Sequence, residues 1–271
     1  MIGQKYVIGF VDNLIEKEYM PRFGLVVGDK GSGRRTLCNH IANKLGGNHY
    51  IVPDVRIATI RDVIENSYKQ KTPMLYIIPN IDDMSKEAQN AILKITEEPP
   101  NKAYFLMTIE DINNVLPTIK SRAYTIWMDR YTKEEIAEYV RATYYESVVE
   151  LCTGICETPG EVDILMRRGA EKFYGFVDKV VDNVDKAPLG NALKILDSLD
   201  LKDEGKGYDI NLFLKIFVRC CLQKSTTFET MIHYLSMVEP TSTALTELKV
   251  KGANRIMILL RAFVPSTVIK V

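Results

Sequence analysis

The sequence G-D-K-G-S-G-R-R-T occupies residues 28–36 and directly follows the apolar run Phe23–Val27. A glycine-rich turn between a buried strand and a helix lets backbone N–H groups surround phosphate, and such a turn is a P-loop. The glycines of the motif are present as Gly28, Gly31 and Gly33. Arg34 and Arg35 stand in place of the motif's Lys and its Ser or Thr, and Thr36 follows them. Because arginine has no oxygen with which to bind Mg²⁺, we predict a loop without catalytic chemistry of its own.

A second motif of nucleotide hydrolysis is also altered, at the end of the apolar run Met74–Ile78. In P-loop ATPases an acidic pair at this place holds Mg²⁺ and polarises the attacking water. Here the run ends in Pro79 and Asn80, which can do neither. Asp82 and Asp83 lie past the strand end, and an acidic turn that caps the next helix explains them better than a catalytic role.

Short apolar runs alternate with amphipathic stretches through the first half of the chain. The runs are Phe23–Val27, 50–52, Met74–Ile78, 103–107 and 125–128. Apolar residues recur at helical spacing between them, in 36–45 and in Lys86–Glu97. This alternation predicts five buried parallel strands in a doubly wound α/β sheet.

Strand signals end after residue 128, and helical signals follow. Thr132 and Glu135 form a predicted capping box, and Thr158 and Glu161 form another. The segment 186–190, K-A-P-L-G, is typical of a linker. Helices are predicted at 191–199, 210–223, 228–237 and 244–263. We therefore predict three domains: 1–129, 130–187 and 188–271.

Composition restricts the function classes. Lys plus Arg and Asp plus Glu both total 35, so no global charge attracts the molecule to nucleic acid or anionic lipid. The five cysteines contain no C-x-x-C pair and the three histidines are scattered, so we expect no metal site. Neither a signal peptide nor a membrane span is apparent, and we expect a cytoplasmic protein with no membrane partner.

Two longer segments resemble a known family. Residues 88–100, A-Q-N-A-I-L-K-I-T-E-E-P-P, resemble the A-x-N-A-L-L-K-x-x-E-E-P-P segment of AAA+ clamp-loader subunits. Residues 116–122, L-P-T-I-K-S-R, are similar to their L-L-P-T-I-R-S-R-C segment. The resemblance covers residues 4–165, and the remainder matches only in helical character. It implies an AAA+ P-loop domain with a five-stranded parallel sheet, a small helical lid domain and a C-terminal helical collar domain.

The resemblance also implies roles for single residues. Ser121 and Arg122 correspond to the pair that projects an arginine finger into the ATP site of a neighbouring subunit, so Arg122 would act in trans. Thr108 matches the polar sensor of the family. Glu161 stands where active relatives have a sensor arginine, which reverses the charge expected near a γ-phosphate. Many bacterial relatives insert a four-cysteine zinc module after the P-loop helix, whereas residues 45–50 here run straight into the second strand.

The leading hypothesis is a clamp-loader subunit without ATPase activity of its own. Its expected partners are gamma/tau-like ATPase and delta-like subunits, and, within the complex, the sliding clamp and primer-template DNA. An AAA+ ATPase in which Arg34 replaces Lys is the alternative enzyme. A DNA-binding adaptor is a third hypothesis, with phosphate contacts from five lysines: Lys69, Lys71, Lys86, Lys94 and Lys102.

Nucleotide binding without hydrolysis is a separate question. Arg34 and Arg35 can contact phosphates, or they can fill the pocket by pairing with a nearby carboxylate. We favour an empty site, so no cofactor is expected.

Overall fold

The computed structural model describes residues 2–183, 188–201, 207–250 and 252–263. Its helices and strands, in chain order, are α1 Lys5–Glu16, β1 Phe23–Val27, α2 Arg34–Lys44, β2 His49–Ile51, α3 Ile57–Tyr68, β3 Met74–Ile78, α4 Lys86–Glu97, β4 Ala103–Ile109, α5 Pro117–Lys120, β5 Tyr124–Trp127, α6 Lys133–Thr143, α7 Val149–Thr153, α8 Pro159–Arg167, α9 Ala170–Asn183, α10 Pro188–Ser198, α11 Ile210–Lys224, α12 Phe228–Glu247 and α13 Arg255–Phe263. Within these ranges, no helix combines the length and the apolar character needed to cross a bilayer.

The five strands form one parallel sheet in the order β2-β3-β4-β1-β5. Neighbouring residues of a strand face opposite sides of the sheet. Leu25 therefore lies in one core cluster with Ile60, Ile92 and Ile119 from α3, α4 and α5, whereas Val26 lies in a second cluster with residues of α1 and α2. Helices on both faces explain why the strands are continuously apolar, and the predicted doubly wound sheet is confirmed.

Two predictions in the C-terminal region need correction. The stretch 244–263, predicted as one helix, is divided: α12 ends at Glu247 and α13 begins at Arg255, with Gly252 at φ +80° between them. Conversely, the helix predicted to end at 237 continues through Pro240 to Glu247. Proline usually ends a helix because it lacks the N–H group. Here the turn after it is fixed by packing, since Thr241 and Ala244 are both buried.

The predicted linker 186–190 is corrected in part. Residues 188–190 form the first turn of α10, and proline is well suited to that position because the first N–H groups of a helix have no partner within it. Residues 186 and 187 lie outside the described part of the chain.

The described residues divide into two compact units. The first contains the described residues up to Tyr139 together with Glu157–Gly160, and therefore the whole sheet. The second contains Val140–Cys156 and the described residues from Glu161 onward. Its core includes stacked and edge-on aromatic rings from α11 and α13, among them Phe213, Phe217 and Phe263. The division into domains 1–129, 130–187 and 188–271 stays a prediction.

Candidate functional site

The carboxyl ends of three neighbouring strands bring several of the predicted nucleotide-site residues to one edge of the sheet. In β1 and β4, Val27 pairs with Ile109, and in β3 and β4, Ile78 pairs with Met107. The glycine loop after β1, residues 79 and 80 after β3, and Thr108 of β4 therefore lie at this edge. Ligands of open α/β folds bind at this edge of the sheet.

The glycines of the loop are required by its geometry. Gly31 and Gly33 have φ values of +81° and +91°, which side chains disfavour. A Cβ atom on Gly28 would lie 2.7 Å from Cβ of Met128. Gly33 is also the N-cap of α2, and no side chain caps this helix.

Residues 157–160 pack directly on the loop and belong to the same compact unit. The hydroxyl of Thr158 donates to the carbonyl oxygen of Lys30 at 3.0 Å. The backbone N–H of Gly160 donates to the carbonyl of Gly31 at 3.1 Å. A Cβ atom added to Gly31 would lie 2.7 Å from Cα of Gly160, so the two backbones are in close contact.

Arg34 is buried and forms an ion pair inside the site. Its side chain is 9% exposed, and its Nη2 lies 2.7 Å from Oε1 of Glu110, which is 41% exposed. The sequence left open whether Arg34 contacts phosphate or pairs with a carboxylate, and in the structure it pairs with the carboxylate of Glu110. The next two residues, Arg35 and Thr36, are exposed. Glu110 was missed by the sequence analysis, although an acidic residue directly after a strand adjacent to β1 was a usable signal.

The residues after β3 bond to β4 and to the segment that follows it. The backbone N–H of Asn80, which follows Pro79, donates to Oγ1 of Thr108 at 3.0 Å. Asp82 was predicted to cap the next helix, and this prediction is wrong. It is buried, and its Oδ2 accepts from the backbone N–H groups of Glu110 and Asp111 at 3.0 and 3.1 Å. The actual cap of α4 is Ser85, whose side chain accepts from the N–H group of Ala88.

Ser121 and Arg122 are exposed between α5 and β5. Nη2 of Arg122 lies 3.2 Å from Oε1 of Glu97, with side chains 39% and 57% exposed. Nη1 of Arg122 donates to the carbonyl of Thr118 at 3.0 Å. The guanidinium is thus oriented by a carboxylate and a backbone carbonyl while part of it faces solvent.

Glu161 belongs to the second unit. Its Oε1 lies 2.8 Å from Nζ of Lys215. The structure therefore gives this residue an ion pair within the helical unit. In the first predicted capping box, Thr132 and Glu135 exchange both expected hydrogen bonds. In the second, the hydroxyl of Thr158 also bonds to the loop.

The cysteines are buried free thiols, including Cys38 of α2. Burial raises the pKa of Cys38, and the nearby charges of Arg34 and Arg35 lower it. The effect of burial is the larger one, so the pKa is about 12. This thiol is therefore neutral at physiological pH and is a packing residue rather than a nucleophile.

Three of the lysines proposed to contact DNA have partners within the chain. Nζ of Lys69 lies 2.6 Å from Oε1 of Glu65, and Nζ of Lys102 donates to the carbonyl of Lys71 at 2.6 Å. Lys94 lies over the ring of Tyr68 at 5.4 Å. These contacts are compatible with an ordinary solvated helical surface.

Comparison with known proteins agrees with the fold and the motifs. The profile described as DNA polymerase III, delta subunit, matches residues 47–132. The gamma subunit of DNA polymerase III from Buchnera aphidicola subsp. Schizaphis graminum is 23% identical over 171 residues, which are 52% of this chain and 47% of that protein. A delta prime subunit from Buchnera aphidicola subsp. Baizongia pistaciae is 32% identical over 85 residues, which are 31% of this chain and 25% of that protein. This chain thus spans less than half the length of these two relatives.

A solved structure extends the match to almost the whole chain. The gamma subunit-related protein of Thermotoga maritima covers 94% of this chain and 97% of its own, with a TM-score of 0.51 and 18% identity. At this identity the similarity establishes the fold alone. The fold is of the AAA+ type. In sequence, the chain is similar over part of its length to gamma and delta prime subunits of DNA polymerase III.

Proposed function

We propose that the chain is a non-hydrolysing, delta-prime-like subunit of a clamp loader. It serves as a stator and donates Arg122 to the ATP site of a neighbouring ATPase subunit during clamp loading in DNA replication. The contrast between two arginines carries the proposal: Arg34 in the chain's own loop is buried and paired, whereas Arg122 is exposed.

Several features support a site that does not hydrolyse nucleotide. Arg35 stands where a Mg²⁺-binding hydroxyl belongs, and Asn80 replaces the acid after β3. Without the hydroxyl and the acid that hold Mg²⁺ and polarise the attacking water, hydrolysis lacks groups that stabilise its transition state.

Arg122 has the properties required of a residue that acts in trans. Its ion pair with Glu97 is solvent-exposed, and such pairs contribute only about 0–1 kcal/mol. A phosphate group carrying several negative charges can therefore compete with Glu97 for the guanidinium. An arginine finger is worth about 10³ to 10⁵ in rate, or roughly 4–7 kcal/mol of activation free energy.

The second unit offers a surface for partner subunits. Phe228, Ile232 and Leu235 lie at helical spacing on α12 and are 73%, 58% and 44% exposed. Contiguous exposed apolar side chains commonly mark protein interfaces. This stripe supports assembly through a C-terminal collar with gamma/tau-like and delta-like subunits.

The test is reconstitution of the loader, copurified with its native partners, with Arg122→Ala. DNA-stimulated ATP turnover at the neighbouring site is expected to fall about 10³-fold, with loss of clamp loading. Arg141→Ala is the matched control, because Arg141 is another exposed arginine, 3.0 Å from Glu146. Unchanged turnover in the Arg122 variant would contradict the proposed role.

The ATPase alternative is tested on the isolated chain. We expect no magnesium-dependent ATP turnover above background. A turnover of about one per second, within the ordinary enzyme range, that disappears in Arg34→Ala would favour the enzyme instead. Salt-dependent binding of primer-template DNA by the chain alone would favour the adaptor.

A further inference from the structure

Two buried polar atoms of the glycine loop and the first turn of α2 have no partner among the described residues. Nη2 of Arg34 bonds to Glu110, but Nη1 of the same guanidinium is buried and bonds to none of the described atoms. Oγ of Ser32, also buried, has no partner within the described residues either. Buried groups of this kind cost free energy when unpaired, so their presence beside a loop indicates a place where a ligand could satisfy them.

The helix that starts at the loop adds to this positive potential. α2 is 11 residues long and begins at Arg34, and its N-cap residue, Gly33, makes no side-chain capping hydrogen bond. Uncapped N–H groups and the helix dipole both favour an anion at this position. Arg35 adds a second guanidinium in the first turn.

Glu110 supplies a negative charge to this place. It follows β4 directly, and its backbone N–H donates to the buried Asp82 at 3.0 Å. The loop is tied to the same strand end, because the N–H of Gly28 donates to the carbonyl of Ile109 at 3.1 Å. The backbone of Glu110 is thus fixed beside the loop. Its side chain is 41% exposed and is free to turn toward solvent if its charge is removed.

We propose that Glu110 is a built-in anion that occupies the guanidinium of Arg34 and thereby excludes phosphate from the glycine loop. The proposal rests on the proposed function, in which the chain's own site is not used for hydrolysis. When the charge of Glu110 is removed, the loop binds a small oxyanion of the phosphate class through Arg34 and the N-terminus of α2.

The packing of residues 158–160 limits the size of this ligand. Gly160 contacts Gly31 backbone to backbone, and Thr158 holds the carbonyl of Lys30. An inorganic diphosphate needs only the loop and the arginine, whereas a nucleoside triphosphate also needs room beyond them. Inorganic pyrophosphate is therefore the probe, and ATP is a comparison ligand.

The experiment is isothermal titration of the full chain with pyrophosphate, in the absence of Mg²⁺, for wild type and Glu110→Gln. We expect the dissociation constant of the variant to be at least tenfold lower. Glu146→Gln is the matched control, because it removes the carboxylate of an exposed arginine–glutamate pair, Arg141–Glu146, and it should bind like wild type. The double variant Arg34→Met with Glu110→Gln should lose the gain.

Two results would overturn the proposal. One is an affinity of Glu110→Gln no higher than that of wild type, and the other is a gain that persists in the double variant. Circular dichroism checks that Glu110→Gln is folded, and Glu110→Ala serves as a second variant if it is not. If neither wild type nor variant binds pyrophosphate and wild type does not hydrolyse ATP, the role of Glu110 fails while the proposed stator function stands. ATP turnover by wild type would instead remove the proposed function.

Discussion

The two arginine–glutamate pairs of the sheet-containing unit use the same chemical groups in different surroundings. The Arg34–Glu110 pair has an N–O distance of 2.7 Å and a guanidinium that is almost fully buried. The Arg122–Glu97 pair has a distance of 3.2 Å and both side chains substantially exposed. A buried guanidinium cannot easily leave its partner, because an unpaired charge would remain inside the protein. An exposed one can exchange its carboxylate for another anion at little cost.

The first prediction tests whether the loop end is as closed as the contacts indicate. In Gly31→Ala the new Cβ meets Gly160 at a φ of +81°, and strain plus overpacking should lower the free energy of unfolding by about 3 kcal/mol. Gly46→Ala is the control, because Gly46 also has a positive φ but no atom within 4 Å of the added Cβ. It should lose about 1–2 kcal/mol. Equal losses in urea denaturation would mean that the contact with Gly160 is unimportant.

The second prediction compares the pairs directly by double-mutant cycles. Substituting Arg34 with Met and Glu110 with Gln, singly and together, should give a coupling free energy of about 2 kcal/mol, since the guanidinium is desolvated while the carboxylate is partly solvated. The same cycle for Arg122 and Glu97 should give about 0.5 kcal/mol or less, because both side chains are exposed. Thermal or urea unfolding measures both. A coupling at the exposed pair as large as at the buried one would remove the distinction.

The third prediction concerns the contact between α1 and α2, where Asp12 of α1 bonds to His40 of α2 at 2.7 Å. Burial would raise the pKa of Asp12, but the hydrogen bond from His40 and the charges of His40 and Lys44 together lower it below 3.8. A lowered pKa means that the ionised carboxylate stabilises the folded state at higher pH, and that this contribution is lost as pH falls through the folded-state pKa.

Asp12→Asn should therefore reduce the free energy of unfolding at pH 7 by about 0.5–1 kcal/mol, a modest amount because the pair is partly solvated. The difference between wild type and variant should shrink as pH falls below 3.8. A difference that stays constant between pH 7 and pH 3 would show that the charge of Asp12 does not stabilise α2. Urea titrations across this range measure it.

Much of the sheet-containing unit was predictable because its local signals agree with its fold. The apolar runs marked all five strands, and β1 and β3 have the predicted bounds. Helices α1 and α3 were not predicted, although α3 buries Ile60 and Val63 at helical spacing. In the C-terminal region, the helix bounds were predicted wrongly around Pro240 and Gly252. The proline is tolerated inside α12, and the glycine lies in the break that divides the predicted helix.

The sequence by itself determined the altered glycine loop, the missing acid after β3 and the position of Ser121 and Arg122, because each depends on residue types at fixed local spacing. Only the tertiary structure decided that Arg34 pairs with Glu110, 76 residues away, and that Asp82 holds the backbone beside it. Such contacts form when the parallel strands align their carboxyl ends. Side-chain burial, which distinguishes the buried Arg34 from the exposed Arg122, likewise depends on packing between distant segments rather than on local sequence.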